Sequence, residues 1–446
     1  MTELAAAVEA VLPGVRADLE RLVRIPSVSS DPTRAGEVLR SAELVATLLG
    51  DAGVPDVQIL TVAGGAPAVV GRIPAPAGAP TVLLYAHHDV QPTGDQADWD
   101  SEPFEPQERQ GRLYGRGAAD DKAGVLAHVA ALRAFGGSPP VGVTVFVEGE
   151  EEIGSPTLAA FLAAHRDLLA ADVLVIADSV NWGVETPALT TSLRGLVDCV
   201  VEVRTLHHGV HSGMYGGAAI DALSALCRLL ATLHDDRGDV AVAGLTATAA
   251  APVDYPEERF RAEGGVPDGV SLVGTGSLPD RLWTRPAVSV IGLDAPRVAD
   301  AANVLVPRAR AEVSLRIAPG DDPERAMDAL VRHLEDHAPW GAQVSVARGS
   351  RAAPVELAAT GPAYDAARSA FRDAFGAEPV DVGIGGSIPF IAELAAAYPQ
   401  AAVLVTGVED PDSRAHGADE SLHLGQFAKV CLAETLLLQR LGAMRT

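Results

Sequence analysis

Thr81-Val82-Leu83-Leu84-Tyr85-Ala86-His87-His88-Asp89 decides the fold. An uncharged run with no polar–apolar alternation leads straight into two imidazoles and a carboxylate. A strand that is apolar on both faces belongs inside a parallel sheet covered by helices. The pattern recurs three times. Residues 141–147 lead into Glu148-Gly149-Glu150-Glu151-Glu152, 172–177 end at Asp178, and 401–406 are followed by Glu409, Asp410, Asp412 and His416. Helical periodicity at 35–52, 122–135 and 363–375 lies among these runs, a βαβ signal that predicts an α/β fold with a mostly parallel sheet.

In such sheets the ligand crevice lies beyond the carboxyl ends of the strands. Four separated segments would therefore deliver carboxylates and imidazoles to one place. Acids crowded into a low-dielectric crevice repel one another. One or two divalent cations would offset that repulsion, and mixed His and carboxylate ligands suit them. Each piece also has a plainer reading. A strand-end histidine can be a hydrogen-bonded structural residue, and 148–152 can be a solvated loop or a first helical turn. Asp120-Asp121-Lys122 can be an N-capped helix start.

The middle of the chain has a different texture. Residues 196–204, 287–293, 309–317 and 343–347 read as half-exposed strands. Arg310, Glu312, Ser314 and Arg316 alternate with Ala311, Val313, Leu315 and Ile317, the period of an antiparallel sheet with one wet face. Helical segments at 218–234 and 322–337 complete a two-layer α+β insertion of about domain size. The Gly- and Pro-rich stretches 63–80 and 254–279 read as loops.

Composition narrows the function. A chain of 446 residues is expected to hold two or three domains, and 48% hydrophobic residues suffice for large cores. Its 34 basic against 59 acidic side chains leave a net charge of −25, which argues against nucleic acid and anionic membranes as partners. Cys199, Cys227 and Cys431 have no metal-like spacing and make no disulfide framework, which suits a reducing cytoplasm. Residues 1–22 are acidic and amphipathic rather than a secretory signal. The charge-free stretch 241–253 is shorter than the ~20 residues of a membrane helix. A soluble, cytoplasmic protein is expected.

Longer motifs carry a resemblance. Tyr85-Ala86-His87-His88-Asp89-Val90-Gln91-Pro92 and Leu113-Tyr114-Gly115-Arg116-Gly117-Ala118-Ala119-Asp120-Asp121-Lys122-Ala123-Gly124 resemble the paired signatures of the M20 metallopeptidases. Glu148-Gly149-Glu150-Glu151-Glu152-Ile153-Gly154-Ser155 is similar to that family's paired-glutamate motif. Asp178, Ser192-Leu193-Arg194-Gly195, His211-Ser212-Gly213, Gly385-Gly386-Ser387-Ile388-Pro389 and Ala415-His416 follow in family order. The Asp-Val-Gln-Pro and Asp-Asp-Lys forms resemble the dipeptidase branch that includes cytosolic carnosinase-like enzymes.

The resemblance implies a division of labour. Asp120 would bridge two divalent metal ions, zinc first, with manganese or cobalt as alternatives. His87 and Asp178 would complete one site, Glu152 and His416 the other. Glu151 would be the general base acting on a metal-bridging water, and Asp89 would hold the tautomer of His87. His211 would stabilise the oxyanion from a neighbouring subunit, assisted by Asn303. Arg316 would capture the substrate's free carboxylate, with the amides of Gly386 and Ser387. Residues 1–192 and 357–446 would form the discontinuous catalytic domain. Residues 193–356 would form a ferredoxin-like lid and dimerisation domain, most simply in a C2 homodimer. A cis peptide is expected between Asp120 and Asp121.

The implied activity is hydrolysis of the amide bond of dipeptides or related compounds with a free carboxyl end. An N-acyl (acetyl, succinyl or carbamoyl) amino acid amidohydrolase is the alternative, and a catalytically silent scaffold a third reading. The chain departs from the pattern at Ala86, where glycine is common, and at His88, which reads as non-ligating. The triple acid Glu150-Glu151-Glu152 leaves the register of base and ligand to Glu148-Gly149. His423 lies too late to replace His416, and His207 and His208 take no role. His128, His165, His234, His333 and His337 read as surface residues.

Overall fold

The computed structural model describes residues 3–62, 64–249, 253–386 and 388–444, and its interior is organised by the strand Thr81–His87, buried along almost its whole length. Contacts divide the chain into two compact units: Met1–Thr191 with Leu357–Val382 and Pro389–Thr446, and Ser192–Glu356 with Gly383–Ile388.

In the first unit, among the described residues, the sheet runs in the order Asp56–Leu60, Ala68–Ile73, Gly142–Glu148, Thr81–His87, Val173–Ile176, Ala402–Val405 and Ala188–Leu193. The central four strands, from 142–148 to 402–405, are parallel neighbours, and the flanking ones join antiparallel. One face packs on helices Glu3–Val23, Ala35–Asp51, Lys122–Ala134, Pro362–Phe375 and Leu424–Ala443 through Leu19, Val45, Leu126, Phe371 and Leu437. On the other, Tyr85 stacks on Phe390 and Phe146 on Phe161, carried by helices Pro389–Ala397 and Leu158–Ala164. Cover on both faces explains why 142–148 is buried at every position and shows no alternation.

Ala68–Ile73 corrects the loop reading of 63–80. Two prolines hid the strand, because Pro67 and Pro74 bound a run of only six residues. Gly71 in its middle fits for lack of a side chain: a Cβ there would lie 2.8 Å from Val54 Cγ1. The stretch 254–279 likewise carries a short helix, Glu257–Glu263.

The second unit contains an antiparallel sheet in the order Ala287–Asp294, Arg308–Ile317, Gly195–Arg204, Gln343–Ala352. Helices Ala222–Ala231 and Pro323–Asp336 cover one face, Leu226 and Leu330 meeting Val201 and Val313. The βαββαβ succession is the ferredoxin-like arrangement. Along 308–317 every second residue is buried, as the alternation requires. Among the described residues no helix is long and apolar enough to cross a membrane.

Two charged side chains lie deep in the first core. Lys122 Nζ donates to the carbonyls of Leu22 (2.9 Å) and Ile25 (2.7 Å), and burial pulls its pKa down to about 7. His128 is fully buried, not on the surface. Its helix packs inward on every side, so helical periodicity gave no warning. His333 is buried too, its Nε2 3.0 Å from the Thr232 carbonyl oxygen.

His128 Nδ1 lies 2.8 Å from Glu434 Oε1 and Nε2 3.0 Å from the Tyr85 carbonyl oxygen. Both partners only accept, so the doubly protonated ring alone satisfies both. Burial opposes that charge, but the Glu434 carboxylate more than offsets it, and the pKa is raised. A raised folded pKa stabilises fully below the unfolded value near 6.5 and ceases to do so as pH rises through the folded one. His128→Leu should therefore cost about 3–5 kcal/mol at pH 6. The gap in melting temperature between wild type and variant should narrow steadily above about pH 6.5. A gap that widens toward pH 9 in thermal scans would refute the charged pair.

Candidate metal centre

The parallel register sets the site. Tyr85 pairs with Ile176. His87 and Asp178 each lie two residues further on, which puts both on the same face of the sheet. His87 pairs with Glu148, so the chain leaving the next strand reaches Glu151 and Glu152 beside it. His87 Nε2 is 4.0 Å from both Glu151 Oε2 and Asp178 Oδ1.

Asp120 and His416 arrive from a second layer. Strands Arg112–Tyr114 and Ser421–His423 pair antiparallel, with Ser421 opposite Tyr114. The segments that continue from them, 115–121 and 409–420, therefore lie side by side. Arg112 grips Asp410 with both Nη atoms, at 3.1 and 2.9 Å. His416 sits at φ 62°, among left-handed Arg414 and Asp419, in a tight loop that brings its Nε2 to Asp120 while the side chain stays exposed. The peptide between Asp120 and Asp121 is cis, as the motif leads one to expect.

Asp120 stands between two imidazoles. Its Oδ1 lies 3.1 Å from His87 Nε2 and its Oδ2 3.0 Å from His416 Nε2. His416 Nε2 also reaches Glu152 Oε2 at 3.2 Å. Donor atoms of His87, Glu151 and Asp178 fall within 4.8 Å of one another, as do those of His87, Asp120 and Glu152. Asp120, Asp178 and Glu409 form a third such group. The residues fit a pair of divalent cations: mixed imidazole and carboxylate donors surround one carboxylate whose two oxygens face opposite ways.

The electrostatics agree. Burial, then the charges of Asp178, Glu152 and Asp120, push Glu151 up to about 9. Burial, then Asp120 and Glu152, push Asp178 up to about 7. Hydrogen bonds to Asp120 and Glu152 push His416 up to about 11. Asp120 itself stays well below the usual carboxylate range: the hydrogen bonds of His416 and His87 overcome its burial.

Supporting contacts fix the ligand atoms. His87 Nδ1 is 3.1 Å from the Asp89 carbonyl oxygen and 3.4 Å from Asp89 Oδ1, acceptors that hold a proton on Nδ1, so a cation would meet the ring at Nε2 in place of the proton that Asp120 accepts. The Asp89 carboxylate does more at the neighbouring loop, accepting from the amides of Glu151 (3.2 Å) and Glu152 (3.1 Å). Asp121 accepts from the His87 amide at 3.2 Å rather than capping its helix. His88 turns away, Nε2 lying 2.9 Å from the Pro67 carbonyl oxygen. His423 Nδ1 accepts from the Gln426 amide at a helix start.

Several contributors escaped the sequence reading. Gln91 donates to Glu152 Oε1 (3.0 Å) through its amide, and to Oε2 (2.9 Å) through Nε2. Glu409 shares the acid cluster, and buried Glu420 accepts from the Ala119 and Asp120 amides at 2.9 and 3.1 Å. Gln91 carried a signal in its place in the Asp-Val-Gln-Pro motif and Glu409 in its place after the run 401–406, while Glu420 carried none.

The second unit holds the remaining candidates. His211 is exposed and its Nδ1 accepts from the Gly213 amide at 3.0 Å, which leaves the proton of the neutral ring on Nε2. Asn303 adjoins it, its carbonyl accepting from the Ser212 amide at 2.9 Å, while His211 pairs with Val304. Arg316 is half-buried on its strand, and its charge joins burial in drawing Arg194 down to about 10. Arg194 Nε donates to the Gly385 carbonyl at 3.0 Å, next to half-buried Gly386. A Cβ at Gly385 would stand 2.7 Å from Arg194 Nη2 and 3.0 Å from the Leu282 carbonyl oxygen, so a side chain there would have to displace the guanidinium. Ser387 lies outside the described residues.

Comparison with known proteins accords with this geometry. The chain is 37% identical over 433 residues to the cysteinylglycine-S-conjugate dipeptidase of Corynebacterium striatum, covering 95% of each protein. It is 28% identical over 437 residues to the Beta-Ala-His dipeptidase of Rattus norvegicus, covering 92% of this chain and 85% of that one. Its fold matches the di-peptidase Dug1p of Saccharomyces cerevisiae with a TM-score of 0.82 at 23% identity, over 100% of this chain and 99% of that one. It matches human carnosine dipeptidase 1 equally well, TM-score 0.82 at 24% identity, over 99% and 98%. The family model of peptidases M20/M25/M40 aligns with residues 83–440, and the chain belongs to that family.

Proposed function

We propose that the chain is a dinuclear metallohydrolase that cleaves the amide bond of dipeptides with a free carboxyl end. One observation carries the reading: the Asp120 carboxylate, with an imidazole nitrogen 3.1 Å from one oxygen and another 3.0 Å from the other. His87 and Asp178 would hold one cation, Glu152 and His416 the other, and Asp120 both. Zinc suits these donors first, with manganese or cobalt as alternatives. Two dipeptidases among the relatives support the substrate class.

Bound there, the cations would acidify a water molecule and polarise the scissile carbonyl. The protein's own groups do the rest. Glu151, whose Oε2 lies 4.0 Å from His87 Nε2, accepts the proton of the attacking water and passes it to the departing amine. Asp89 holds the Glu151 and Glu152 amides, so base and ligand keep a fixed register. His211, with its proton on Nε2, donates to the oxyanion from a neighbouring subunit, with Asn303 beside it. Arg316 receives the substrate's carboxylate, helped by the Gly386 and Ser387 amides.

A homodimer through the second unit follows from the trans role of His211. The edge strand Ala287–Asp294 supports it, since Ile291 and Leu293 stand 61% and 50% exposed beside an unpaired backbone edge. Cys199, Cys227 and Cys431 are free, which suits a reducing cytoplasm.

Glu151→Ala should bind the same number of cations as wild type while kcat on dipeptides falls about 10²–10⁴-fold. Metal analysis alongside a panel of dipeptides and N-acyl amino acids tests this. Unchanged turnover removes the base, and a preference for N-acyl substrates removes the peptidase reading. Cations must displace the protons held at His416, Glu151 and Asp178, so affinity should weaken as pH falls toward 6. Calorimetric titration should show a binding heat that varies with the buffer's ionisation enthalpy, and a buffer-independent heat would contradict it. Arg316→Met should raise KM about 10- to 100-fold, the range of a charge-assisted hydrogen bond, and abolish the preference for a free carboxylate over the amide. A KM that does not change would place carboxylate recognition elsewhere.

A further inference from the structure

We infer that Arg116 and Glu420 are a positioning pair that assembles one half of the cation site, the half made by Glu152 and His416, without ligating anything. The inference rests on the two-cation reading of the same crevice. Both side chains are buried, Arg116 1% and Glu420 0% exposed. Glu420 Oε2 accepts from Arg116 Nη1 at 2.6 Å and from the Gly117 amide at 3.0 Å. Its Oε1 accepts from the amides of Ala119 and Asp120, at 2.9 and 3.1 Å. The remaining arm of Arg116, Nη2, donates to the Pro92 carbonyl at 3.1 Å and to the Gly417 carbonyl at 3.0 Å.

Three segments far apart in sequence are thus tied to one ion pair, and each carries a group of the same half-site. Gly417 follows His416. Pro92 follows Gln91, whose amide and side chain together hold both carboxylate oxygens of Glu152. The third segment ends in Asp120 itself. His416 Nε2 meets Asp120 Oδ2 at 3.0 Å and Glu152 Oε2 at 3.2 Å, where these three segments converge. The other half is built differently. His87 and Asp178 stand at the ends of paired strands and need no such tie. A planar guanidinium fork suits the work, because it fixes direction as well as distance at each carbonyl.

The pair should therefore act chiefly on one cation, and on the other only through the shared Asp120. Zinc titration of the purified full-length chain by calorimetry tests this, with His416→Ala and Asp178→Ala to mark the two halves. Arg116→Lys keeps the buried charge opposite Glu420 but loses the fork, and Glu420→Gln keeps the shape but loses the charge and one of the two accepting oxygens. Both variants should weaken the event that His416→Ala removes by about 10–100-fold and, because Asp120 serves both halves, weaken the event that Asp178→Ala removes distinctly less. Excess zinc should restore kcat in both variants with KM near the wild-type value. Equal weakening of the two events, or no weakening in folded Arg116→Lys, would reduce the pair to a support of the fold and overturn the proposal. A wild-type chain that binds fewer than two zinc ions would instead refute the two-cation reading itself.

Discussion

Like charge crowded into a dry crevice governs this protein. Asp120, Glu151, Glu152, Asp178 and Glu409 bring their carboxylates to the ends of parallel strands, where water screens poorly. Such an arrangement persists only if positive charge is shared among its members. In the structure the imidazoles of His87 and His416 supply it from either side of Asp120. The same demand that crowds protons onto Glu151 and His416 makes the crevice a receptor for dications. Fold and chemistry meet in that requirement, since only a register that brings His87 level with Asp178 closes the circle.

The division between two layers is equally physical. Strand ends are rigid, so the groups they carry are set by sheet geometry alone. The loops bearing Asp120 and His416 have no such scaffold, and buried polar ties replace it: Arg112 on Asp410 and Glu420 on a run of amides. Each tie crosses between segments remote in sequence, so the site is complete only once the long-range fold is complete.

That contrast also explains what could be read in advance. Strands 81–87 and 142–148 announce themselves because burial on both faces demands continuous apolar sequence, and the acids that follow them are then placed by topology. Arg316 and its neighbours are legible because one wet face imposes a period of two. The flanking strand 68–73 was hidden by its prolines and its brevity. Arg116, Glu420 and His128 were hidden for another reason. A charged side chain looks the same in sequence whether it meets water or a single complementary partner deep in the core, and no periodicity distinguishes the two. Gln91 lay between these cases, conspicuous in its motif but mute about its hydrogen bonds to Glu152.

Lys122 has a wider consequence. Its ammonium is spent entirely on the carbonyls of Leu22 and Ile25, at the exit of the first helix, while its own backbone continues from Asp120 and Asp121. The backbone that carries Asp120 is thereby anchored on a segment 100 residues earlier in the chain.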